Sequence, residues 1–152
     1  MKVDIDPTSG VCFGVEKAIE SAERLLSSGE KVYGLGFMVH NRNEIERLEK
    51  LGMVTIPNEG LSGLENSSVL FRAHGEPPES YKKAGQNGNR IIDATCPIVI
   101  KLQKRIRERY ERIDHSREQI VIFGKPEHPE TIGLLGQISN DAVVVSKLAD
   151  LT

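Results

Sequence analysis

Six side chains in this sequence have types suited to chemistry: Cys12, His40, His74, Cys96, His128 and Glu130. The two cysteines lie 84 positions apart, so no CxxC pair exists to build a structural zinc site. A structural disulfide does not fit a reducing compartment. Two thiolates suit a soft metal, above all an iron–sulfur cluster or zinc. Equally, two cysteines can be unrelated small apolar residues in a core. Cys96 has the more telling setting, Ile91-Ile92-Asp93-Ala94-Thr95-Cys96-Pro97. A short apolar run ends in a turn of small residues, and a proline follows the cysteine. Proline suits the first helical position, because its missing N–H is not needed there. Cys96 is therefore expected at a helix N-terminus, where free N–H groups and partial positive charge favour a thiolate.

His74 sits between Ala73 and Gly75, where small flanks let a ligand approach, and His128 sits between Glu127 and Pro129. Histidines near helix N-termini suit an anionic, phosphate-like group. Glu130, two positions after His128, can carry protons or simply complement a helix dipole. Taken singly, each histidine also reads as an ordinary hydrogen-bonded loop residue. His115 lies in a polar turn and is expected to be merely solvated. No Walker loop or GxGxxG turn is present, so a nucleoside triphosphate or dinucleotide is not suggested.

The elements that must position these residues alternate. Short apolar runs at 2–6, 31–35, 53–56, 68–72, 90–93, 119–123 and 142–145 read as strands. Between them come helical patterns. One carries the stripe Val15, Ala18, Ile19, Ala22, Leu25 and Leu26; one is capped by Asn41 and presents Ile45, Leu48 and Leu51. Others span about 78–84, 97–113 with inner residues Val99, Leu102, Ile106 and Ile113, and a stretch ending near 137. Ser146 can cap a last one. Such alternation implies α/β architecture, parallel sheets flanked by helices. Both cysteines and three of the four histidines then fall two to eight residues after a strand, on the rim where parallel sheets bind ligands. The boundary between a first unit, 1–95, and a partial second unit, 96–152, is expected near Cys96.

Bulk properties exclude several classes. The 152 residues carry a net charge of −2 and a pI of about 6.1, giving no global case for nucleic acid or an anionic membrane. No apolar run approaches the roughly 20 residues of a membrane span. The acidic start, Met1-Lys2-Val3-Asp4-Ile5-Asp6, is not a signal peptide. These features predict a cytoplasmic protein. Basic residues from Lys101 to Arg112 read as a solvated helix face or as a docking surface for an acidic electron-transfer protein.

Six pieces together resemble a known family, the 4-hydroxy-3-methylbut-2-enyl diphosphate reductases of the non-mevalonate isoprenoid pathway, also called LytB or IspH. They are Gly10-Val11-Cys12-Phe13-Gly14-Val15, Val39-His40-Asn41-Arg42, Ala73-His74-Gly75, Asp93-Ala94-Thr95-Cys96-Pro97, His128-Pro129-Glu130 and Gly136-Gln137, in the family's order. The resemblance implies that Cys12 and Cys96 are two of three cysteine ligands to a [4Fe–4S] cluster. It implies that His40, His74 and His128 bind the substrate's diphosphate and that Glu130 relays protons. The implied reaction is a two-electron, two-proton reductive dehydroxylation giving isopentenyl and dimethylallyl diphosphates, with ferredoxin or flavodoxin as electron donor. The family usually has phenylalanine at the place of Val11. Its members are about twice this length and have three small α/β units. The resemblance thus implies an N-terminal portion with the third unit missing, holding no stable cluster alone, inactive, and prone to self-association through exposed apolar faces. Three rival readings remain. One is a non-catalytic α/β domain binding a phosphorylated small molecule through the three histidines. Another is a two-component enzyme whose partner supplies the third cysteine, and the last is a zinc hydrolase.

Overall fold

The computed structural model describes residues 1–4, 6 and 9–151. In chain order the elements are α1 (Phe13–Ser27), β1 (Val32–Leu35), α2 (Arg42–Lys50), β2 (Val54–Ile56), a 3-10 turn (Asn58–Gly63) and β3 (Ser68–Phe71). Then come α3 (Pro78–Gln86), β4 (Arg90–Asp93), α4 (Pro97–Tyr110), β5 (Val121–Phe123), α5 (Pro129–Gly136), β6 (Val143–Val145) and a second 3-10 turn (Leu148–Leu151). Four strands form a parallel sheet in the order β2-β1-β3-β4, and β5 pairs with β6, also in parallel. The fold is α/β, as the alternation of elements predicts.

Side chains alternate across a strand, and β3 uses both faces. Leu70 points into a cluster with Ala18, Ala22 and Leu25 of α1, Ile45 and Leu48 of α2, and Val32 of β1. Val69 and Phe71 point the other way, toward Leu35, Leu61 and Ala84 of α3. The first sheet is thus covered on both sides. No helix among the described residues is long and apolar enough to cross a membrane.

Three expectations are corrected. Residues 2–4 and 6 are not a strand; Lys2, Val3 and Asp4 are exposed and pair with no sheet edge, while Ile5 lies outside the described residues. Pro7 and Thr8 also lie outside them. The inner stripe of α4 is only partly covered: Val99 is buried, but Leu102 is 38% exposed. The second sheet has two strands among the described residues, too few to cover a helix of that length. Finally, Ser146 caps no α-helix. Its hydroxyl and N–H both donate to Asp150, at 2.8 Å each, and close the short 3-10 turn.

Candidate functional site

The site is built from loops leaving the carboxyl ends of strands. After β1 the chain runs to His40, followed by Asn41, whose side chain accepts the N–H groups of Asn43 (3.1 Å) and Glu44 (3.4 Å) and starts α2. After β3 comes Arg72-Ala73-His74, a turn closed by the Gly75 N–H donating to the Arg72 carbonyl at 3.1 Å. After β4, the N–H and hydroxyl of Thr95 both donate to the Asp93 carboxylate, at 2.9 and 2.5 Å. This side-chain turn fixes the step into Cys96 and α4. The Tyr81 hydroxyl donates to the other Asp93 oxygen at 2.9 Å. After β5 the chain reaches His128 and then α5.

The pairing of β3 with β4 continues past both strands. The Ala94 N–H donates to the Phe71 carbonyl and the Cys96 N–H to the Ala73 carbonyl, each at 3.0 Å. Cys96 is thereby joined to the residue preceding His74. Cys12 reaches the same region by another route than a preceding strand. It is the N-cap residue of α1, and Gly14 in the first turn lies against Cys96. A Cβ placed on Gly14 would stand 2.9 Å from both the Cβ and the Sγ of Cys96. Both cysteines are free and both precede the first turn of a helix.

The three imidazoles converge. Ring centroids are 5.3 Å apart for His40 and His74, 5.8 Å for His40 and His128, and 5.5 Å for His74 and His128. One ring nitrogen from each lies within 4.8 Å of the others. Burial, then the charges of Arg72, His40 and His128, push the His74 pKa down to about 4, so it is neutral at pH 7. Its Nδ1 is buried and has no hydrogen-bond partner among the described residues. A buried polar atom without a partner calls for one, and this one lies within a cluster of like groups. His128 Nδ1 accepts the Glu130 N–H at 3.3 Å. In the neutral ring its proton is therefore on Nε2, a donor suited to an anion. Binding a metal through Nε2 would require the opposite tautomer and would cost that cap. Glu130 stands in the first turn of α5, half-buried beside His128. His115 is elsewhere, against Tyr110 and 3.9 Å from Asp141, outside the cluster as expected.

Sequence reasoning missed Tyr81 and Asp93, which shape the turn into Cys96, and the buried ion pair of Arg72 with Glu76. Asp93 was readable in principle, since Asp-x-Thr before a helix is a turn signal. The burial of Arg72 and Glu76 carries no local signature.

Comparison with known proteins adds an independent line. The family model described as LytB protein matches residues 3–152. A 4-hydroxy-3-methylbut-2-enyl diphosphate reductase of Bacteroides fragilis is 51% identical over 148 residues, covering 97% of this chain and 51% of the relative. One from Chloroherpeton thalassium is 51% identical over 152 residues, covering 100% of this chain and 47% of the relative. Among solved structures, an (E)-4-hydroxy-3-methyl-but-2-enyl diphosphate reductase superposes with a TM-score of 0.77 at 35% identity, covering 94% of this chain and 50% of the other. The E-1-hydroxy-2-methyl-but-2-enyl-4-diphosphate reductase of Plasmodium falciparum gives 0.83 at 28% identity, covering 95% and 44%. The chain spans about half the length of the curated relatives it matches.

Proposed function

The chain belongs to the LytB protein family, and from that membership we propose that it provides the diphosphate clamp and two cluster ligands of a 4-hydroxy-3-methylbut-2-enyl diphosphate reductase. The observation that carries this reading is the convergence of His40, His74 and His128 within 4.8 Å beside the loop that delivers Cys96. The close approach of Gly14 to Cys96 favours a two-thiolate centre over a domain that only binds phosphate.

Cys12 and Cys96 are the sulfurs available to an iron–sulfur cluster, and both immediately precede the first turn of a helix. With two cysteines in the sequence, a three-thiolate site takes its remaining ligand from another segment. When bound, the cluster supplies the electrons for reductive removal of the substrate hydroxyl as water. The protein's own residues bind and orient. His128 donates its Nε2 proton to a diphosphate oxygen. His74, neutral when free, gains a partner for its ring, and the nearby anion favours its protonation. His40 closes the third side. This clamp draws binding energy from a group remote from the bond that breaks. Glu130, beside His128, is positioned to move a proton to the leaving hydroxyl. The proposed donor is a ferredoxin or flavodoxin. The two sheets favour a division into α/β units at 95/96.

Calorimetric titration with inorganic pyrophosphate tests the clamp. The chain should bind it, and His40→Ala, His74→Ala and His128→Ala should each weaken binding by roughly tenfold, the worth of one charge-assisted hydrogen bond. Equal affinity in all three variants would overturn the assignment.

A further inference from the structure

Directly behind His74 lies an ion pair that the proposed chemistry does not use. Arg72 is 8% exposed and Glu76 1% exposed. The Arg72 Nε donates to Glu76 Oε1 at 3.1 Å. A buried pair of this kind contributes little stability relative to apolar residues of similar size, because both charges must be desolvated. Its position suggests a different use. The guanidinium lies against Gly36, whose φ is +66° and where a Cβ would overlap Nη1 and stand 2.9 Å from Cζ. Gly36 opens the loop that ends at His40. The Arg72 carbonyl closes the turn that carries His74. Glu76 leads into α3 and is also held by the Ser80 hydroxyl. One guanidinium thus joins the His40 loop, the His74 turn and the start of α3.

We propose that Arg72, anchored by Glu76, is a positioning residue that sets the spacing of His40 and His74 for a diphosphate. This rests on the clamp reading above. Arg72 acts through the loops, because its Nε is committed to Glu76 and its Nη1 end lies against Gly36. Arginine's planar fork is needed for both contacts at once, and lysine cannot supply it.

The test uses the parent chain, R72K and the paired variant R72M/E76L, with inorganic pyrophosphate as the probe. Replacing both charges together avoids leaving one buried alone, so R72M/E76L should keep a thermal midpoint close to the parent's. Its pyrophosphate affinity should nevertheless fall roughly tenfold or more, the equivalent of one misplaced charge-assisted hydrogen bond. The imidazole Hε1 resonances of His40 and His74 should move in the free protein. R72K, which keeps the charge and loses the fork, should not restore affinity. A folded R72M/E76L that binds pyrophosphate within about twofold of the parent overturns the proposal. If that variant fails to fold, the parent decides. The Arg72 Nε–H resonance, protected by burial, should shift when pyrophosphate binds, and an unmoved resonance refutes the role. A parent that does not bind pyrophosphate at all would instead remove the clamp reading itself.

Discussion

Acidification should weaken this fold through His74 in a way that can be measured. The ordinary histidine pKa of 6.5 drops to about 4 in the folded chain. The unfolded chain therefore takes up a proton near pH 6.5 that the folded chain refuses until about pH 4. Stability from the neutral ring is fully present above pH 6.5 and is lost as pH falls toward 4. The full gap corresponds to roughly 3 kcal/mol. His74 is only half-buried, so solvent screening reduces this to about 1–2 kcal/mol. The assay is urea unfolding of the parent and of His74→Gln at pH 7.5 and 4.5. Other groups shift with pH as well: Asp114, Asp150 and Glu44 are held below their usual values, chiefly by hydrogen bonds from Ser116, Ser146 and Arg47 respectively. Burial raises Glu76. The difference between the two proteins removes these shared contributions. The parent should lose about 1–2 kcal/mol more than the variant on acidification. Parallel losses in both would refute the claim that burial keeps this ring neutral.

Three further outcomes are expected. Gly14→Ala forces a methyl to within 2.9 Å of the Cys96 sulfur. Overpacking of about 1–3 kcal/mol is partly offset by about 1 kcal/mol of helix propensity, so the midpoint should move only a few degrees. Cobalt(II) titration, followed by its thiolate charge-transfer bands, should nevertheless weaken sharply relative to the parent. Leu48→Ala empties a fully buried position between α2 and the sheet and should cost about 2–5 kcal/mol in urea unfolding. The apolar surface formed by Phe123, 82% exposed, and Val121 on the same face of β5 should drive self-association. Light scattering should report growing mass with concentration, and Phe123→Lys should reduce it.

Much of the architecture was legible because one physical pattern repeats: a short apolar strand, a small-residue turn and a capped helix. Asn41 and Pro97 mark helix starts by chemistry that is local, and the structure agrees with both. The histidine cluster followed from the same logic, since His40, His74 and His128 all lie beyond strand ends. What failed depends on neighbours. Residues 2–4 alternate like a strand but meet no edge. The periodicity of α4 marks an apolar face without stating what covers it. Arg72 reads as the polar end of a strand, and only the tertiary fold turns it inward to Glu76.

The hydrogen bond from Cys96 to the Ala73 carbonyl makes the sulfur loop and the imidazole turn mechanically one piece. On the proposed reading, a metal at the sulfurs and an anion at the imidazoles share that rung, so occupancy at the sulfurs changes anion affinity. Reciprocity then obliges the anion to change metal retention by the same factor. Loading order would leave the final complex unaltered, and each guest would act as a gauge of the other.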